Sequence, residues 1–180
     1  TEDNADPARI AGVANIVQAI HREVGDGFQI GVQIMRNANK ASIGVAKVSG
    51  GSFVRVGALI GATLTPWGNV ESNPHDVQAY RRYIDAWDIA LIVEIASMHF
   101  EWPGKPLKEL AWSAQYVGAD GVSIGDRDVD KTIGMINEIK DAHPDLPVIL
   151  AGYTNHDNAA QLMRHADGAY VGSCLEMGGW

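Results

Sequence analysis

Cysteine is nearly absent: Cys174 is the only one among 180 residues. A lone thiol cannot form an intrachain disulfide, so a packed core must hold the fold, as suits a reducing compartment. Cys174 sits in an apolar, strand-like stretch and reads as a buried structural thiol rather than a nucleophile. Basic clusters are missing as well. The 14 Lys and Arg residues are scattered among 22 Asp and Glu, for a formal net charge of −8 and a pI near 5.1. That balance argues against a nucleic-acid footprint. No apolar run reaches the length of a membrane span, and the opening residues lack the pattern of a secretory signal. The expected compartment is the cytoplasm. H-E-x-x-H, C-x-x-C and other close ligand pairs are absent, so no metal site is expected. No G-x-G-x-x-G follows a strand pattern, which removes the best signature of a dinucleotide fold.

What is present is a regular alternation. Short β-rich apolar runs occur at Phe28–Met35, Phe53–Leu59, Ile89–Ala96, Gly121–Gly125, Pro147–Gly152 and Gly168–Ser173. Amphipathic segments with helical periodicity lie at Pro7–Val24, Asn39–Val48, Asp76–Ala86, Leu107–Val117, Val129–Asp141 and Asn158–His165. In the first of these, Ile10, Val13, Ile16, Val17 and Ile20 share a face, with Asp6 and Pro7 as N-cap and N1. Alternating strands and helices require parallel strands joined by crossovers. Several strands follow a turn of the form Gly/Ala-Asp-Gly, as at Ala119-Asp120-Gly121 and Ala166-Asp167-Gly168. One unit used repeatedly favours a barrel over an open sheet.

The expected fold is therefore α/β, a TIM-type (β/α)8 barrel forming one domain over residues 1–180. Six strand patterns are visible, and they read as strands three to eight. The chain opens on Thr1-Glu2-Asp3-Asn4 without Met and stops at Gly178-Gly179-Trp180 after a strand pattern. The expectation is that the first two strands and the last helix lie outside it.

In such barrels the strand C-termini carry the chemistry. Just beyond the runs stand Glu2 and Asn4, Arg36 and Asn37, Thr65 in the stretch from Leu59 to Glu71, His99, and Asp126. Gln33, Arg55, Glu94 and Ser123 are polar residues inside runs that should be apolar on both faces. A lone Arg or Glu in a core is costly, and Arg55 and Glu94 on adjacent strands offset that cost by pairing. That pair reads either as a floor ion pair or as a ligand contact. His99, Asp126 and Glu94 are the candidate acid–base groups; Asp126 reads equally as an N-cap for the helix starting near Val129. Glu2, Asn4, Gln33, Arg36, Asn37, Arg55 and Thr65 are candidate substrate contacts. Gly152, Gly172 and Ser173, after the last two strands, suit a phosphate approached by backbone N–H groups, or else are ordinary turn residues. Tyr153 stands where a small residue would be wanted.

Four segments resemble the BtpA family of photosystem I biogenesis-type proteins. These are Gly31 to Asn37, with Gln33 where Asn is usual; Phe53-Val54-Arg55-Val56 with Gly61-Ala62 and Thr65-Pro66-Trp67-Gly68; His99, preceded by Met98 where Lys is usual; and the Asp120 and Asp167 turns through Gly172-Ser173. The resemblance implies a TIM-type barrel, nucleosidase-like or sugar-phosphate chemistry, and an association with photosystem I biogenesis. It also implies two further upstream strands. Gly125-Asp126, Ala151-Gly152-Tyr153 and Glu176 depart from the family's Thr-Gly, Gly-Ser-Gly and common Lys, as in a divergent member. The reading that follows is a cytoplasmic enzyme acting on a small polar, sugar- or nucleoside-like substrate, phosphorylated or not, by acid–base chemistry. The alternative is a non-catalytic biogenesis factor that uses the barrel as a scaffold. A small-molecule partner is expected, no cofactor is named by the residues, and homo-oligomerisation is left open.

Overall fold

A computed structural model describes residues 5–177 apart from 67, 98, 102 and 103, with Glu101 described by its backbone. Six strands form one sheet: β1 (Gly31–Val32), β2 (Phe53–Val56), β5 (Ala90–Ala96), β7 (Gly121–Ile124), β8 (Val148–Ala151) and β9 (Gly168–Tyr170). Their spatial order is their chain order, and every neighbouring pair is parallel. The alternation in the sequence is therefore realised as a parallel α/β sheet of the (β/α)8 kind, with β1 and β9 at its two ends. The sheet is strongly curled. Phe53 on β2 and Tyr170 on β9 stack with ring centroids 6.5 Å apart. Four strand spacings in a flat sheet would separate them by about 19 Å.

The helices start and stop where local chemistry dictates. α1 (Pro7–Val24) is capped by the Asp6 carboxylate, which accepts from the Arg9 N–H at 2.9 Å, and ends at Gly25 with φ of 67°. α2 (Asn39–Ser49), α3 (Pro74–Tyr83), α4 (Leu107–Tyr116), α5 (Val129–Ala142) and the short α6 (Ala159–Leu162) complete the alternation. Asp128, not Asp126, caps α5, accepting from the Lys131 N–H. α1 packs on α2, and only Val17 of its stripe is fully buried; Ile16 and Ile20 stay exposed. No helix among the described residues is long and apolar enough to cross a membrane.

One feature was not expected. The stretch from Leu59 to Glu71 is no open loop: β3 (Ala62–Thr65) and β4 (Gly68–Glu71) make an antiparallel hairpin. β6 (Phe100–Glu101) joins the other side of β3, so the loops after β2 and β5 are fused into a three-stranded flap. The strands are short and mixed in polarity, so period-2 alternation gave no usable signal there.

The core lies between the outer sheet face and the helices. Val54, Val56, Leu91, Val93, Ile95, Val122, Ile124, Val148 and Leu150 are at most 1% exposed. At the strand N-termini the repeated Asp turns have a common purpose. Asp120 donates its N–H to the Leu91 carbonyl and accepts the Leu91 N–H on its carboxylate, at 2.9 and 2.8 Å. Asp167 does the same with Val148, at the same two distances. Each Asp thus clips its turn onto the preceding strand.

Candidate functional site

Side chains alternate along a strand, so the register fixes which residues face the concave side. With Val54, Val93 and Val122 against the helices, Phe53, Arg55, Ile92, Glu94, Gly121, Ser123, Ile149, Ala151, Gly168 and Tyr170 take the other parity. Arg55 and Glu94 meet there. Arg55 Nη2 lies 3.1 Å from Glu94 Oε2, and the side chains are 31% and 4% exposed. The guanidinium also stands over the Tyr170 ring, 4.9 Å from its centroid.

From Glu94 the contacts lead outward. Between Glu94 and Ala96 the pairing with β7 slips, and Ala96 rather than Ile95 sits opposite Ile124. Such a slip re-aims the strand tip. Ser97 donates its hydroxyl to Glu94 Oε1 and accepts the His99 N–H at 3.1 Å. Arg55, Glu94, Ser97 and His99 thus form one connected series. His99 itself is exposed, and its carbonyl accepts from the Leu64 N–H of the flap at 3.1 Å.

A cavity of about 650 Å³ opens over this series, lined by Arg55, Ser97, His99, Ala151, Gly152, Tyr170, Val171, Gly172, Ser173 and Glu176. Its size is that of a small-molecule site. Gly152, Gly172 and Ser173 are brought together on its wall, as their placement after β8 and β9 predicts. Gly152 has φ of 81° and Tyr153 has φ of 59°, so the backbone turns left-handed at two successive residues. Tyr153 does not line the cavity: Arg127 stands over its ring, 5.7 Å from the centroid. The feared obstruction of the rim by that ring is absent. A carboxylate, Glu176, shares the same wall.

Other candidates have different work. Asp126 lines a separate hollow of about 210 Å³ with Lys105 and Lys131. The Asp128 N–H and then the Lys131 ammonium, 2.5 Å away, hold its carboxyl below the ordinary range. It does not converge with Glu94 and His99, and it is not the N-cap either. Asn37 is a clip: its amide donates to the Ala58 carbonyl at 3.0 Å and accepts the Ala58 N–H at 2.9 Å, with Asn39 also bonded to it. These bonds fix the Asn37 side chain against the main chain after β2. Thr65 closes the β3–β4 turn by donating to the Gly68 carbonyl at 2.8 Å. Gln33 directly follows β1 and is half-buried, Arg36 is exposed before α2, and neither lines the cavity. Glu2 and Asn4 lie outside the described residues. Cys174 belongs to a 3-10 turn (Ser173–Leu175), half-buried, with its thiol 3.7 Å from the Thr154 carbonyl. Its strand-like reading is corrected: the last strand stops at Tyr170.

Two residues of the site escaped sequence reasoning, Tyr170 and Ser97. Tyr170 obeys the rule that singled out Arg55 and Glu94, a polar group at inward parity within a strand. Its hydroxyl, Arg55 Nε, Ser123 Oγ and Thr154 Oγ1 are buried with no hydrogen-bond partner among the described residues. Burial, offset by Arg55 and reinforced by Glu94, pushes the Tyr170 phenol up to about 12. It therefore stays protonated near neutral pH.

Known proteins place this geometry. A solved structure titled "Native KDPGal structure" superposes with a TM-score of 0.56 at 17% identity, covering 91% of this chain and 66% of that one. The 3-dehydroquinate dehydratase of Geobacillus kaustophilus gives 0.55 at 14%, over 91% and 65%. At such identities the likeness is one of fold, of the TIM-barrel kind. Among curated relatives, an uncharacterized protein of Archaeoglobus fulgidus is 29% identical over 94% of this chain and 68% of its own length. The photosystem I biogenesis protein BtpA of Synechocystis is 25% identical over 99% of this chain and 62% of its own length. This chain thus spans about two thirds of the relatives it matches. The profile that matches residues 2–180, nearly the full chain, is that of the BtpA family, and the chain belongs to it.

Proposed function

We propose that this protein is a cytoplasmic barrel enzyme that acts by acid–base chemistry on a small polar, sugar- or nucleoside-like substrate seated over the curled sheet. The observation that carries this reading is the connected series from Arg55 through Glu94 and Ser97 to His99, beneath a cavity of small-molecule size. Arg55 orients the substrate. Glu94, held on one side by Arg55 and on the other by Ser97, and His99 at the mouth are the proton-transfer groups. Asp126 leaves that set because it faces another hollow. A phosphate, where the substrate carries one, is held at Gly152, Gly172 and Ser173, where a Cβ added to Gly172 would meet nothing within 4 Å.

Calorimetry with D-ribose and D-ribose 5-phosphate, on wild type and Gly172→Asp, tests the reading. Both probes bind wild type and raise its melting temperature. The carboxylate of Gly172→Asp abolishes the extra affinity of the phosphorylated sugar and spares the free sugar. Equal effects on both would remove the phosphate corner; no binding of either at millimolar concentration would remove the sugar-site reading.

A second reading is supported by the Synechocystis relative, a photosystem I biogenesis protein by name. In it the protein is a non-catalytic biogenesis factor and the barrel is a binding scaffold. Sugar-type ligands that bind without turnover, together with unchanged binding after Glu94→Gln, favour that reading.

A further inference from the structure

We infer that Tyr170, with the Nε of Arg55, forms a floor that receives an uncharged, oxygen-bearing end of the ligand, a hydroxyl or carbonyl, and rejects a carboxylate or phosphate there. This rests on the cavity being a ligand site, as proposed above, and adds which end enters first.

Three observations lead to it. First, both residues line the cavity, yet the Tyr170 hydroxyl and Arg55 Nε are buried and find no partner among the described residues. Ser123, which is opposite Glu94 in the register and fully buried, has a hydroxyl without a partner among the described residues as well. A buried polar atom without a partner costs stability, and two of them on residues that line one cavity are explained by a ligand that satisfies both. Second, the two donors are held in place. Tyr170 stacks on Phe53 and carries the Arg55 guanidinium over its face, so neither is free to swing away. Third, the local charges balance without a ligand. Glu94 already neutralises Arg55, and Glu176 adds a carboxylate to the wall. An anion on the floor would face two carboxylates with one guanidinium to oppose them. An uncharged oxygen accepts from the Nε–H and the phenol O–H with no such penalty. Burial of the phenol keeps that O–H in place as a donor.

The test uses calorimetry with D-ribose, D-ribose 5-phosphate, pyruvate and inorganic phosphate on wild type, Tyr170→Phe and Ser123→Ala. Thermal melts of both variants establish that they fold; loss of an orphan hydroxyl should not lower the melting temperature. The expected result is that Tyr170→Phe weakens both sugars about tenfold, the value of one buried hydrogen bond. Pyruvate and inorganic phosphate are unaffected by it. Sugars that bind wild type and Tyr170→Phe equally would make Tyr170 a packing residue and overturn the inference while the cavity reading stands. Pyruvate or phosphate binding that depends on Tyr170 would overturn it the other way, by placing an anion on the floor. If no probe binds wild type, the ligand-site reading fails and takes this one with it. Should Tyr170→Phe not fold, a loss of sugar affinity in Ser123→Ala carries the decision, and its absence counts against.

Discussion

Of the arginines that stand over aromatic rings in this protein, Arg81 and Arg55 are used in opposite ways. Arg81, on α3 at the strand N-termini, has a 5% exposed side chain and lies over Trp87, 5.2 Å from the ring centroid. Its Nε, Nη1 and Nη2 reach the carbonyls of Ala86, Gly118, Trp87 and Ile89 and the Asp120 carboxylate, at 2.8 to 3.4 Å. Every nitrogen has a structural partner. Arg55, on the concave face, has one carboxylate, a third of its side chain exposed and an Nε with no partner among the described residues. The first arginine is spent on the fold; the second keeps capacity in reserve. This division matches the general one in such barrels, where the strand N-termini carry stability and the C-termini carry function.

The comparison breaks first at Arg81. Arg81→Met should destabilise the protein by about 4 kcal/mol, because it strips donors from buried carbonyls and leaves Asp120 without its cation. Urea denaturation measures this, and a loss under about 1 kcal/mol would mean that water already serves those carbonyls.

A smaller effect is expected on the concave face. Replacing Arg55 and Glu94 together, as Arg55→Met with Glu94→Leu, should change stability by no more than about 1 kcal/mol, since a partly exposed ion pair is exchanged for apolar packing. The same double variant should lose all sugar binding. A stability loss as large as that of Arg81→Met would erase the distinction between the two arginines.

The smallest effect is a pH dependence at the other Asp turn. Burial would raise the Asp167 carboxyl, but the Lys140 ammonium and the Val148 N–H outweigh it and hold it below the ordinary value. A depressed carboxyl contributes stability that is present above the unfolded pKa, near 4, and is lost as pH falls through the lower folded value. Wild type should therefore lose its advantage over Asp167→Asn as pH drops below about 4, by no more than about 1 kcal/mol for so exposed a pair. Acid titration of both proteins by circular dichroism is the check, and parallel curves would remove Asp167 from the account.

The sequence carried these features unevenly, for physical reasons. Helix α1 matches its periodic segment from Pro7 to Val24, because an Asp-Pro start and a glycine stop are local signals. The Arg55–Glu94 pair was legible from parity alone, since costly charges inside apolar runs must find each other. The contacts of Asn37 and Asp126 were not legible, because a polar side chain at a strand tip can turn to its own protein as readily as to a ligand. Nothing in the sequence says that Ala58 or Lys131 will be waiting. Tyr170 was missed because a tyrosine within an apolar run passes for core. The flap was missed because its strands are short and mixed in polarity, and because β6 pairs with β3 across a long sequence separation.

That flap has a consequence beyond its geometry. The loops at the mouths of such barrels usually vary one at a time, which lets the fold take on new chemistry piecemeal. Here main-chain hydrogen bonds between β3 and β6 join the loop after β2 to the loop after β5. An insertion or deletion in one would shift the register of the other and displace His99, whose carbonyl is bonded to Leu64. In this protein those two loops form one heritable unit, and any change of shape around His99 must pass through both together.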